Sequence, residues 1–144
     1  MGVEQVTRDF FAAWSTGKFL DHVTSDAMVS GGVLPQAMPA REAFLIVDAM
    51  RAAMPDFKVT VEKVTTEGDQ ATVLARIGGT QSSPLTLPMP GMPTVPATGK
   101  KVSVPDKFIL TVKGDKVSLM QVDSPADGGI PALLALLGAK MPGA

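Results

Sequence analysis

A change of hydrophobic period at Pro55 constrains this chain more than any other feature. Apolar residues upstream recur at intervals of three and four, the spacing of a helix face, and downstream they alternate, the spacing of a strand. A chain ordered in this way is expected to be an α+β domain, with helices covering one face of a curved antiparallel sheet.

In the upstream half, "VEQVTRDFFAAWS" (3–15) sets Val3, Val6, Phe10 and Trp14 on one stripe, widened by Phe11, and Gly17 closes that helix. A second, short helix is expected over about 18–24 and a loop through Gly31, Gly32, Pro35 and Pro39. The third, "AREAFLIVDAMRAAM" (40–54), aligns Phe44, Val47, Met50 and Met54 and stops before Pro55.

Downstream, "FKVTVEKV", a turn at 67–70 and "ATVLARI" form an antiparallel hairpin with one dry face. "KVSVPDKFILTV", the turn "KGDK" and "VSLMQVD" form another, and an apolar helix over 130–139 follows. Between the hairpins lie residues 78–101, with five prolines, a segment that reads as a lid, a binding loop or a disordered flap. Its Leu85, Leu87, Met89, Met92 and Val95 argue for partial burial.

The length of 144 residues suits one domain, 1–144. With 13 basic against 14 acidic side chains and no run of like charge, neither nucleic acid nor an anionic membrane is an expected partner. No apolar stretch reaches the roughly 18 residues of a membrane span, and "MGVEQVTRDF" lacks a signal-peptide pattern, so the cytoplasm is the default expectation. Cysteine is absent and histidine occurs once, which removes thiol nucleophiles and leaves no imidazole-rich metal site. His22 is expected at a helix end or on the surface. No metal or other cofactor is expected.

Carboxylates are the remaining candidates for chemistry. Asp123 ends the last strand, where such a residue either caps the following helix, with Ser124 and Asp127 as companions, or works in a pocket. Asp106 lies in "SVPDKFIL" on the neighbouring strand, where Pro105 and Lys107 favour a surface position. If instead both carboxylates reached one cavity, each would displace the other's pKa and separate acid from base.

Five stretches occur in order over nearly the whole chain: "RDFFAAWSTGKF", "PDF" at 55–57, "EGDQATVLARIGGT", "VPATGKKVSV" and "VKGDKVSLMQVD". Together they resemble the SnoaL-like proteins of the nuclear transport factor 2-like superfamily. The resemblance implies a cone: a strongly bent antiparallel sheet, three N-terminal helices on its concave face, a short C-terminal helix and a deep apolar pocket. It further implies a polyketide cyclase-like lyase or isomerase without cofactor, performing aldol-type cyclisation or isomerisation on a hydrophobic carbonyl-bearing molecule. Asp123 matches best the family's strand-end aspartate, with Asp127 as fallback and Asp106 as helper.

Under that reading Phe10, Phe11, Trp14, Met28, Met89, Met92, Leu119 and Gln121 shape the substrate cavity, the last two because they share a strand face with Asp123 by alternation. A homodimer through the outer sheet face is also implied, with Leu74, Phe108, Leu110, Met120 and Val122 as the residues to be covered. The family's tyrosine-dependent isomerases and dehydratases do not fit, because tyrosine is absent. A non-catalytic ligand-binding or dimerisation module remains the alternative, and a limonene-type epoxide hydrolase using Arg76 a lesser one.

Overall fold

The computed structural model describes residues 2–32, 34–88 and 94–139. Helix α1 (Val3–Ala12) runs into 3-10 turns at Ala13–Ser15 and Phe19–His22. Strand β1 (Val23–Gly31), a two-residue β2 (Met38–Pro39), α2 (Ala40–Ala43) and α3 (Leu45–Ala53) follow. The remaining elements are β3 (Lys58–Glu67), β4 (Gln70–Thr80), β5 (Leu85–Thr86), β6 (Thr94–Val95), β7 (Lys101–Lys113), β8 (Lys116–Val122) and α4 (Gly129–Leu136).

Six strands form one sheet in the order β2-β1-β8-β7-β4-β3. Both expected hairpins are present, β3 with β4 and β7 with β8, joined at Gly68-Asp69 and Gly114-Asp115. The sheet is mixed rather than purely antiparallel, because β1 pairs with β8 in parallel. That strand replaces much of the expected early loop. Its weak alternation, with Thr24, Ser25 and Asp26 in sequence and an irregular register between Val23 and Met28, hides it from pattern reading. The second expected helix is only the 3-10 turn that leads into it.

One face of the sheet is dry. Ala71, Val73, Ala75 and Ile77 of β4 and Val102, Val104, Phe108 and Leu110 of β7 are buried there, beside the helical side chains Val6, Phe10, Phe11, Trp14, Phe44, Val47 and Met50. Removing this apolar area from water is the main force holding helices to sheet. Phe11 and Phe108 join the layers with ring centres 5.0 Å apart, and Trp14 meets Phe108 nearly edge-on at 5.7 Å.

The segment after β4 is packed rather than loose in its described part. Leu85, Leu87 and Val95 are buried, and β5 pairs with β6. Buried Gln81 ties this hairpin down: its amide donates to the Val95 carbonyl at 3.0 Å and accepts from the Thr98 hydroxyl at 2.7 Å. Met89 and Met92 lie outside the described residues.

Three of the five residues assigned to the outer face, Phe108, Leu110 and Met120, are buried in the core instead, and Val122 lines the inner cavity. Only Leu74 is outward, 43% exposed. The physical reason is the helical cover, which is broad enough to shield every inward row of β7 and β8.

Candidate functional site

The inward row of β7 carries one polar residue. Buried positions recur at Val102, Val104, Asp106, Phe108, Leu110 and Val112 without a break, so Asp106 occupies a core position, 5% exposed. Pro105 does not disturb the strand. Lys107, two residues on, accepts at its carbonyl from the Asp123 N–H at 2.9 Å, so odd-numbered backbone groups of β7 face β8. At Pro105 that neighbour has already ended, because the ladder stops at the Phe108–Val122 pair. A proline there gives up no ladder bond.

Beyond β8 the chain turns back over β7. Gly128 rests directly on the Pro105 carbonyl, and Gly129, at φ +72°, lies against the Ser124 hydroxyl; a Cβ at either would collide with these groups. This close approach seats Ser124 beside Asp106 and leads into α4, which brings Ile130 to the cavity wall.

Asp106 is held asymmetrically. The Ser124 hydroxyl donates to Oδ1 at 2.7 Å and the Lys107 N–H donates to the same oxygen at 2.8 Å. Among the described residues Oδ2 accepts no hydrogen bond. Burial raises the carboxyl pKa above the ordinary aspartate value, and the Ser124 and Lys107 hydrogen bonds offset part of that rise. A fixed carboxyl with one open oxygen and a raised pKa is suited to accept and return a proton.

The cavity beside it measures about 60 Å³ and is lined by eighteen residues, mostly apolar, with Trp14, Phe44, Met50, Phe108, Met120 and Ile130 forming much of its wall. Asp106, Ser124 and Trp14 are the three lining side chains with nitrogen or oxygen atoms. This volume is well short of the roughly 300–1,000 Å³ of ordinary ligand pockets. A ligand of that class enters only by displacing flexible wall side chains such as Met50 and Met120.

Asp123 is elsewhere. Its side chain is 62% exposed and its Oδ2 lies 3.4 Å from Lys107 Nζ, on the convex face. The cause is a bulge: Thr111 pairs with Leu119 and Val112 with Val117, leaving Ser118 as an extra residue in β8. Its hydroxyl donates to the Thr111 carbonyl at 3.1 Å. After the bulge Met120, Val122 and Ser124 line the cavity, and Leu119, Gln121 and Asp123 do not.

Of the other residues expected to shape the cavity, Trp14 lines it. Phe10 and Phe11 are buried but sit outside its wall. Met28 pairs with Leu119 on β1 and is also absent from the wall, and Asp127 is exposed. Arg76 is exposed and bonds Ser103, Nε to the hydroxyl at 3.0 Å, which places it away from the cavity and removes the epoxide-hydrolase arrangement. His22 ends a 3-10 turn apart from the site. Pattern reading missed Ser124, for which the sequence carries no signal without the bulge. It favoured a surface position for Asp106, although the run of alternating apolar residues around it was legible and the residue is buried. Among the described residues no group of three or more metal-ligating side chains converges, and no helix is long and apolar enough to cross a membrane.

Comparison with known proteins bears on the same region. The profile of the SnoaL-like domain family matches residues 7–120, a span that includes Asp106 and stops short of Asp123. A protein assigned as a SnoaL-like polyketide cyclase from Jannaschia sp. CCS1 superposes with a TM-score of 0.70 at 24% identity, covering 95% of this chain and 90% of that one. AclR, assigned as a hydroxylase from Streptomyces galilaeus, gives 0.74 at 17% identity over 94% and 95% of the two chains. A ketosteroid isomerase-like fold from Catenulispora acidiphila, solved with trimethylamine, gives 0.67 at 19% over 94% and 93%. At these identities the likeness establishes the fold, which hosts more than one chemistry. No curated protein sequence matches the chain significantly.

Proposed function

Because the chain belongs to the SnoaL-like domain family, we propose that it performs cofactor-free acid/base chemistry on a hydrophobic, carbonyl-bearing small molecule, with Asp106 as the proton-transferring group. The observation that carries this reading is the buried carboxyl whose Oδ1 is fixed by Ser124 and Lys107 while Oδ2 is left open beside an apolar cavity. Oδ2 takes a proton from the carbon next to a carbonyl, and the electron pair of the broken C–H bond moves onto the carbonyl oxygen. In an aldol-type cyclisation the enolate carbon then bonds to a second carbonyl carbon of the same molecule. The oxygen of that carbonyl recovers the proton from Asp106. Isomerisation differs only in returning the proton to another carbon.

Proton exchange from pentane-2,4-dione into D2O, followed by NMR, tests the first step. Asp106→Asn should lower the protein-catalysed rate by about 10²–10⁴-fold, and Asp123→Asn should leave it unchanged. Equal rates for wild type and Asp106→Asn would sink the proposal.

The cavity of about 60 Å³ favours a second reading, a module whose interior holds a small apolar ligand or is filled by its own side chains. Ligand-induced thermal stabilisation equal in wild type and Asp106→Asn, with no exchange in either, would support it. A homodimer is the proposed assembly in both readings, through a convex face on which Leu74 is exposed and Met28, Ile109 and Leu119 are half-buried. Sedimentation at the monomer mass at micromolar concentration would count against it.

A further inference from the structure

Among the described residues, one buried side-chain nitrogen or oxygen lacks a hydrogen-bond partner: the indole Nε1 of Trp14. Buried donors are nearly always paired, so an exception calls for a partner that the folded chain does not supply. The surroundings explain why none is at hand. Phe10, Phe44 and Phe108 approach the indole nearly edge-on, with ring centres 5.9, 5.6 and 5.7 Å away. These rings grip it without offering an oxygen.

Trp14 also forms part of the cavity wall. Of the two other lining side chains with a nitrogen or oxygen, Asp106 is the carboxyl and Ser124 already gives its proton to that carboxyl. The chain has no tyrosine. Trp14 is therefore the wall's uncommitted side-chain N–H.

We infer that Trp14 Nε1–H donates a hydrogen bond to the carbonyl oxygen of the bound molecule, the atom on which negative charge collects as Asp106 Oδ2 removes the neighbouring proton. The inference rests on the acid/base reading above and adds its electrostatic half. A donor fixed by packing where charge develops needs no reorganisation during the reaction, and removing one such donor commonly lowers turnover by about 10²–10³-fold. The nitrogen is sealed from water, so the contact forms as the incoming molecule parts the side chains around the ring.

A single tryptophan gives a single indole N–H resonance, which makes the contact directly observable. Pentane-2,4-dione and 2,4-dimethylpentane are close in shape, and only the dione has carbonyl oxygens. In full-length protein labelled with 15N-tryptophan, the dione should move the indole proton downfield and the hydrocarbon should not. Trp14→Phe should erase the preference for the dione and lower the proton-exchange rate by about 10²–10³-fold. An indole resonance indifferent to the dione, or moved equally by both compounds, would overturn the inference and assign the N–H to the face of a neighbouring phenylalanine. The wild-type spectrum decides this even if Trp14→Phe fails to fold.

The two readings fail separately. A dione-specific indole shift in a wild-type protein that catalyses no exchange would uphold the Trp14 contact and reject the acid/base function. Exchange dependent on Asp106 with an unmoved indole would do the reverse.

Discussion

Strands β7 and β8 lie side by side, yet β7 keeps an unbroken two-residue alternation from Val102 to Val112 and β8 loses step once, at Ser118. The difference decides which carboxylate is inside. On β7 the regular count carries Asp106 into the dry row, where its raised pKa follows from burial. On β8 the bulge absorbs the extra residue and keeps the strand in step with β7, so that Asp123 lies at the surface against Lys107 and Ser124 hydrogen-bonds Asp106. One bulge thus sets a hydroxyl, rather than a second acid, beside the buried carboxyl.

Deleting Ser118 attacks the comparison most directly. With the extra residue gone, Leu119 follows Val117 directly, the pairing with β7 becomes one-to-one, and regular alternation keeps Met120 and Val122 inward and Gln121 and Asp123 outward. The Ser118–Thr111 hydrogen bond and the local twist are lost while the core row stays in place, so we expect a loss of about 1–3 kcal/mol, read from urea unfolding. A loss of about 4–5 kcal/mol, the range of severe core disruption, would mean that the inward row of β8 had turned outward and that Ser118 is not the extra residue.

A smaller effect is expected from Asp106→Asn, and its sign is informative. The folded protein holds the Asp106 proton more tightly than the unfolded chain does. The contribution of this residue is therefore complete below the unfolded pKa of about 4 and is lost as pH rises through the folded value. Asparagine cannot ionise, and its amide oxygen can still accept from Ser124. At pH 7 the variant should melt at a higher temperature than wild type, and the gap should narrow toward pH 4. A variant less stable at pH 7 would contradict the burial argument.

The smallest effect belongs to the exposed partner. Replacing Asp123 by Asn breaks a surface ion pair with Lys107, and the change in unfolding free energy should stay below about 1 kcal/mol, fading further in high salt. A larger loss would show that Asp123 does more than its exposure suggests.

Much of the architecture was legible beforehand. The stripe through Val6, Phe10 and Trp14, the break at Pro55, the two Gly-Asp turns and the buried Leu85, Leu87 and Val95 all act over a few residues, where steric and solvation preferences are written in neighbouring side chains. The strand β1 was not legible, because its parallel partner lies about ninety positions away and its own alternation is weak. The candidate site was half legible: Trp14 and Asp106 were named, the latter as a helper with a surface position favoured, and Ser124 appeared only as a cap.

By itself the sequence determined the first and third helices, the two hairpins, the apolar character of the interior and the scarcity of groups able to do chemistry there. Periodicity carries that information because each residue responds first to its nearest neighbours and to water. Tertiary structure alone decided which face each residue of β8 presents, since a bulge is defined by pairing with β7 and cannot be counted along one strand. It decided as well that Asp106 holds the cavity and Asp123 the surface, because burial depends on what the folded chain brings overhead.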